Sequence, residues 1–418
     1  MTNLVSESTV GAMKTNITPR QRALVVGLGV SGTASALRLH KAGWDVVVLE
    51  KAAERRRGGY FLTLFGTGIT AAERLGIEVP DRFSADIAYY NVDRAGRRRR
   101  GMGFAEAVPG QSRPVVRGDV EQAAFDALPE SVEIRYASIP VALRQDADSV
   151  QVDIEDRAAG TVATERFDLV VGADGLRSAV RRLAFGSDEG RIHRLGYMLA
   201  ACGLPGPVPG FRGTDGIIMS ELGRSAWVFA FADRPPTALF NYRTNDVDGE
   251  FTRPAIDSLR AVFGPEPTGT TLGWLLDQFE QAPDHLFDTA EQVRLDTWHQ
   301  GRVVLVGDSA WCLTLYSGMG ASSGLAGADM LGTMLERNPG DVPRALRAWE
   351  AKLRPFIEFH QDSGMLMRKL FVPADRTEYR IRSVFDHVVG TTLGRTLLSQ
   401  AEHHSKASRM KTVDIALA

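Results

Sequence analysis

At 418 residues the chain is long enough for two or three domains of about 150 residues, each able to bury its own core. Against 51 Asp and Glu, 49 Lys and Arg leave a formal net charge of -2, so no global positive field exists to hold a nucleic acid. A composition of 44% hydrophobic and 24% charged residues lies well away from the disordered regime. Cys202 and Cys312 form neither a disulfide framework nor a metal-ligand spacing, which fits a reducing compartment, the cytoplasm by default. No window approaches the 18 or more apolar residues of a membrane span. Residues 1–20 lack an apolar core and read as a flexible leader, not a secretory signal.

In chain order, Ala23 to Glu50 passes from an apolar run to helical spacing and back to an apolar run, a βαβ unit with a parallel sheet. A hairpin follows at Ile87 to Phe104, turning at Asp93 to Gly96. Arg117 to Leu128 reads as a helix, and Val132 to Ile139 and Val150 to Ile154 as strands. Residues 194 to 242 carry several strand-like runs between Gly, Pro and Asp turns, the pattern of an antiparallel sheet. A buried strand at Gly301 to Asp308 then leads into a Gly/Ala/Ser-rich helix from about Gly318 to Leu335, and the chain stays helical after Pro343, with a kink or restart expected at Pro355. The expected fold is α/β: a discontinuous Rossmann-like domain over 21–86, 106–186 and 287–345, a β-sheet domain over 87–105 and 187–286, and a C-terminal helical region over 346–418.

Gly27-x-Gly29-x-x-Gly32 ends a strand and opens a helix, and the next strand ends in Glu50. The first glycine permits a tight turn, the second lets backbone approach a pyrophosphate at the helix N-terminus, and the third allows close helix–strand packing. Val30 and Ser31 would offer backbone N–H groups, and Glu50, followed by Lys51, would accept from ribose hydroxyls. This fingerprint does not separate FAD from NAD. Two further apolar strands end in Asp174-Gly175 and Gly307-Asp308, and the loop after the second carries Gly318, Gly320 and Gly324. The sequence carries no His/Glu/His zinc spacing, P-loop or GxSxG elbow, and no metal is expected.

With GxGxxG and its acid, an internal Ala-Asp-Gly and a late Gly-Asp in this order, the chain resembles the class A flavoprotein aromatic hydroxylases, of which para-hydroxybenzoate hydroxylase is the type. The resemblance covers roughly Ala23 to Glu350. It implies that Asp308 holds the ribityl chain of FAD and that the helix after Gly318 and Gly320, with Ala321 and Ser322 in its first turn, points at the isoalloxazine pyrimidine end. It further implies that Asp174-Gly175 serves FAD and a visiting NAD(P)H, and that Arg56 and Arg117 flank the flavin. The chain departs from the family after Gly-Asp: Trp311 stands where many members carry histidine, Leu313 and Leu315 stand where they carry prolines, and Cys312 lies between.

The family lays its β-sheet over the flavin as a pocket wall. Strand alternation places Trp227 and Phe229 on one face, with Phe240, Tyr197, Met219 and Leu315 as further candidates for substrate contact. Such a pocket favours a planar, largely apolar ligand. The resemblance thus implies a monooxygenase that takes electrons from NAD(P)H, forms a flavin C4a-hydroperoxide with O₂ and hydroxylates an aromatic or polyketide-like molecule, in natural-product biosynthesis or antibiotic inactivation. The oligomeric state is expected to be monomer or homodimer, and no general base is identifiable. The alternatives are a halogenase or reductase of the same fold, although none of the 6 tryptophans has the halogenase Trp-x-Trp-x-Ile spacing, and a binding protein without redox work.

Overall fold

The computed structural model describes residues 20–55, 58–82, 86–103, 112–264 and 266–416. Residues 1–19 of the leader and Arg56 lie outside them. Strand β1 (Arg22–Val26) is buried at every position after the first, as befits a strand covered on both faces. It pairs in parallel with β2 (Asp45–Leu49) and with β11 (Leu169–Gly172). Beyond them lie β7 (Glu133–Arg135) on one side and β18 (Val303–Leu305) with the short antiparallel β17 (His299–Gln300) on the other. The resulting order β17-β18-β11-β1-β2-β7 draws one sheet from widely separated parts of the chain. Helix α1 (Val30–Lys41) packs between this sheet and α9 (Gly320–Arg337), and α9 also carries α2 (Gly66–Leu75).

Between β2 and β7 the chain makes a ribbon of β3 (Phe61–Phe65) with β6 (Ser112–Val116) and continues into α3 (Arg117–Asp126). A meander of β8 (Ser138–Gln145), β9 (Val150–Asp156) and β10 (Thr161–Phe167) precedes β11, and α4 (Ala179–Phe185) follows it.

The second sheet has the order β16-β12-β15-β14-β13-β4-β5. Its strands are β4 (Ala88–Val92), β5 (Arg98–Arg100), β12 (Ile192–Gly203), β13 (Asp215–Glu221), β14 (Arg224–Phe229), β15 (Thr237–Arg243) and β16 (His285–Val293). All pairs are antiparallel except β4 with β13. Because β16 pairs with β12 along its length, the sheet extends to Val293 and the sequence-based boundary at 286 is corrected. The loop after β15 holds the single turn α5 (Val247–Glu250), then α6 (Ala255–Phe263) and α7 (Gly269–Gln281), which cover one sheet face. The other face looks toward β3 and the segment after Asp308, which opens as the short α8 (Asp308–Trp311).

Helix α10 (Val342–Phe371) runs through Pro355 unbroken, against the expected restart. Leu353, Phe356 and Ile357 are buried around the proline, and that packing outweighs the missing N–H. Then α11 (Arg376–Val389), α12 (Thr392–His404) and α13 (Lys406–Thr412) form a strap. Arg382 of α11 lies 5.5 Å over the Trp227 ring of the second sheet. Beyond α13 the chain returns to the first domain: Thr67 Oγ1 donates to Val413 O at 2.9 Å, and Arg74 of α2 pairs with Asp414.

His360 joins α10 to this strap. It is 1% exposed, its Nε2 lies 3.3 Å from Met410 O, and the Phe356 and Phe359 rings meet it edge-on. Burial pushes its imidazole down to about 4 against the Met410 carbonyl, which favours the charged form. The unfolded chain titrates near 6.5 and so binds a proton that the folded chain refuses. Stability therefore falls as the pH drops from 6.5 toward 4, by up to roughly 3 kcal/mol at about 1.4 kcal/mol per pH unit. His360→Gln is expected to flatten this limb of a plot of Tm against pH; an unchanged slope would assign the acid sensitivity to other groups.

Among the described residues no helix is long and apolar enough to cross a membrane, and no group of His, Cys, Asp and Glu side chains could hold a metal ion. Both cysteines are free.

Candidate flavin site

The three glycines of the first motif have three different environments. Gly27 sits at φ +104°, where side chains are disfavoured, and a Cβ there would overlap the Ala173 carbonyl. A Cβ on Gly32 would overlap the Gly27 carbonyl oxygen, so α1 can meet the turn only without one. At Gly29 the nearest atom to a built Cβ is Glu121 Oε1, 3.8 Å away, and space is left over the helix end. Gly29 caps α1 with no side-chain bond, so the N–H groups of the first turn, Val30 and Ser31 among them, remain for an anion. Glu50 Oε2 accepts from Leu28 N at 3.0 Å and Oε1 from Ala52 N at 2.9 Å, which fixes the carboxylate beside the turn. Lys51 is exposed next to it.

Two other segments close on this turn. Ser31 is wedged between Gly307 and Gly324, since a Cβ on either would overlap its hydroxyl. This brings the Gly307-Asp308 loop and the first turns of α9 onto α1. Helix α9 also lacks a side-chain cap, and a Cβ on Gly320 would meet nothing within 4 Å. Gly318 closes the preceding turn at φ +66°. Asp308 is open to solvent yet walled by protein, as expected for the side of a cleft. Burial pushes its carboxyl up, with Arg117 and a hydrogen bond to Cys312 opposing. Burial also works against the Arg117 charge, but Glu121, Tyr60 and Asp308 more than offset it and the guanidinium stays above its usual range. Arg117 Nε donates to Glu121 Oε1 at 3.0 Å. The Cys312 thiol is pushed up by burial and by Asp308, which keeps it protonated and unreactive.

Several expected ligands are committed elsewhere. Asp174 accepts from Ala179 N at 2.6 Å and Val180 N at 3.2 Å, so its carboxylate caps α4 while Gly175 lies open beside it. Arg181, in the first helical turn after Asp174-Gly175, is fully buried: it donates to Leu176 O at 2.6 Å and Ser309 O at 2.9 Å, stapling the Asp174 and Asp308 loops together. Ser322 is also fully buried, and its hydroxyl accepts from Phe65 N at 3.0 Å, which commits its side chain to β3. Ala321 stays partly exposed there.

Over this cleft the second sheet presents Trp227, Phe229 and Tyr197, packed with Phe61, Tyr316, Phe371 and Leu315. Phe61 stacks on Phe229 with centroids 4.0 Å apart and planes 4° from parallel. Met219 and Phe240 point the other way and are corrected as pocket residues. Phe240 packs edge-on against Phe263 and Phe279, 5.8 Å from each, and Met219 shares that helix-covered core. The adjacent run was read with the wrong phase, since across β14 and β15 it is Leu239 that stands opposite Trp227. Tyr60, Phe61, Tyr316 and Phe371 were missed. No motif marks them, although Tyr60 follows the Gly58-Gly59 pair and Tyr316 lies within the loop before Gly318.

The residues present fit FAD: two uncapped helix ends, room at Gly29 and Gly320, an oriented Glu50, and Asp308 beside Arg117. Fold and site together define an FAD-binding flavoprotein. Residues 20–210 match the family model of an FAD binding domain. An uncharacterized protein of Mycobacterium tuberculosis is 30% identical over 349 residues, covering 81% of this chain and 91% of that one. A flavin-dependent monooxygenase of Legionella longbeachae is 27% identical over 376 residues, covering 86% and 92%. Among solved structures, tetracycline destructase Tet(51) superposes with a TM-score of 0.74 at 24% identity, covering 92% of this chain and 98% of that one. The chain belongs to the class A FAD-dependent monooxygenases and is an FAD-dependent oxidoreductase.

Proposed function

We propose that the protein uses NAD(P)H and O₂ to hydroxylate a planar aromatic or polyketide-like small molecule in the cytoplasm, in natural-product biosynthesis or antibiotic inactivation. The observation that carries this reading is the aromatic face of the second sheet, set over the Asp308 loop and flanked by Phe61, Tyr316 and Phe371. The related fold of a tetracycline destructase, a name that describes attack on a polycyclic antibiotic, supports the substrate class.

Bound FAD supplies the electron carrier and oxygen-activating centre that no side chain provides. The chain's own residues bind and orient. The first turn of α1 takes the pyrophosphate, Glu50 a ribose, Asp308 the ribityl chain, and the first turn of α9 the pyrimidine end, where its dipole favours negative charge. The aromatic wall excludes water from the reacting edge. Cys312, held protonated, serves as packing there and not as a nucleophile.

An absorbance spectrum of the purified protein, followed by anaerobic NADPH and then NADH, tests the reading. A two-banded yellow spectrum that bleaches with either nucleotide and returns with air is the expected result. A protein that stays colourless after incubation with FAD would sink the monooxygenase reading.

A further inference from the structure

The sheet face over the cleft is aromatic except for a few buried polar atoms that the protein leaves unpaired. Asn241 stands on this face, opposite Ser225 and two pairs along from Trp227 and Leu239. It is fully buried. Its Oδ1 accepts from the Tyr316 hydroxyl at 3.0 Å, while its Nδ2 meets no partner. Exchanging the amide's oxygen and nitrogen would not remove the problem, because one end would still face no partner. In this contact the Tyr316 phenol donates, and the amide N–H is turned away from it. An unpaired buried donor is costly and rare, and each one in a native structure calls for a functional or structural reason.

Two further residues repeat the pattern. Thr314, two residues before Tyr316, has a buried hydroxyl with no partner and a backbone at φ +65°, a region that β-branched residues avoid. Thr237, paired with Phe229 across β14 and β15, also buries an unpaired hydroxyl. Thr314 thus adds strain and an unpaired hydroxyl beside Tyr316, while Thr237 lies four residues along β15 from Asn241, about 13 Å away on the same face.

We infer that Asn241, held by Tyr316, is the polar anchor of the substrate pocket and donates a hydrogen bond to a ring-borne carbonyl or phenolic oxygen. The inference rests on the monooxygenase reading and narrows its substrate to planar ring systems carrying such an oxygen. Tyr316 acts as a positioning residue, because it fixes the amide without meeting the ligand itself.

The test measures equilibrium dialysis of two near-isosteric probes, 1-acetonaphthone and 1-ethylnaphthalene, against the FAD-loaded protein. The wild type is expected to prefer the ketone by about tenfold, and Asn241→Leu to bring the two affinities within about twofold of each other. Asn241→Asp, which keeps the acceptor for Tyr316 but replaces the N–H with oxygen, should lose the preference too, and it covers the case in which the leucine variant fails to fold. A ratio unchanged in either folded variant, or a wild type without preference, overturns the assignment. Failure of the underlying reading registers separately, as absence of flavin bleaching by NADPH.

Discussion

Gly32→Val is expected to yield protein that carries no FAD after incubation with excess cofactor and that melts many degrees lower, or is insoluble. The added atoms would occupy the position of the Gly27 carbonyl oxygen. Backbone cannot yield as a side chain tip can, so α1 must lift off the turn, and with it both the uncapped helix end and the fixed distance to Glu50 are lost. The expected destabilisation exceeds about 3 kcal/mol, the upper range for overpacking a well-fitted contact. Gly203→Ala is the control: nothing lies within 4 Å of its built Cβ, and the change should stay within about 0.5 kcal/mol. The ratio of flavin to protein absorbance and a melting curve report both effects. Full flavin occupancy in Gly32→Val would show that the first turn of α1 is not where the cofactor binds.

Asp308→Ala separates cofactor binding from folding. Protein walls surround its carboxylate, and burial raises its pKa, so the ionised group is a burden on the empty cleft and its loss should leave the melting temperature of the FAD-free protein unchanged or slightly raised. FAD affinity should fall about 10- to 100-fold, the effect of losing one hydrogen bond that involves a charged group. Asp308→Asn, which keeps an acceptor oxygen, should fall between. Quenching of flavin fluorescence on titration measures all three. An alanine variant that binds FAD as tightly as the wild type would remove Asp308 from the cofactor's contacts.

The cofactor half of the molecule was legible because its signals are local. The glycine spacing, the strand before it and the acid after it lie within one βαβ unit, and β1, α1 and β2 stand where their periodicity put them. What the sequence concealed was relational. The Asp174 carboxylate caps a helix and Arg181 staples loops contributed by distant strands, roles that no local pattern announces. Phe240 alternates as cleanly as Trp227, and only the pairing of β14 with β15 reveals that it faces the helices. The boundary before β16 moved for the same reason, since ladder partners outside the local window decide which sheet a strand joins. Pro355 shows the reverse error: a strong local signal was overridden by burial on both sides.

The interleaving of the parallel sheet has a consequence during synthesis. β1 emerges from the ribosome early, yet β11, its partner on one side, is made some 140 residues later and β18 later still. At about 5 to 20 residues per second the nascent chain spends many seconds with an apolar strand lacking its neighbour. The Asp308 loop and α9 complete the cleft only after β11 and the second sheet have been made, so FAD cannot stabilise the growing chain by mass action before then. The yield of this protein in a cell should therefore respond to chaperone supply while these partners are still unmade, and to riboflavin supply only once α9 has emerged.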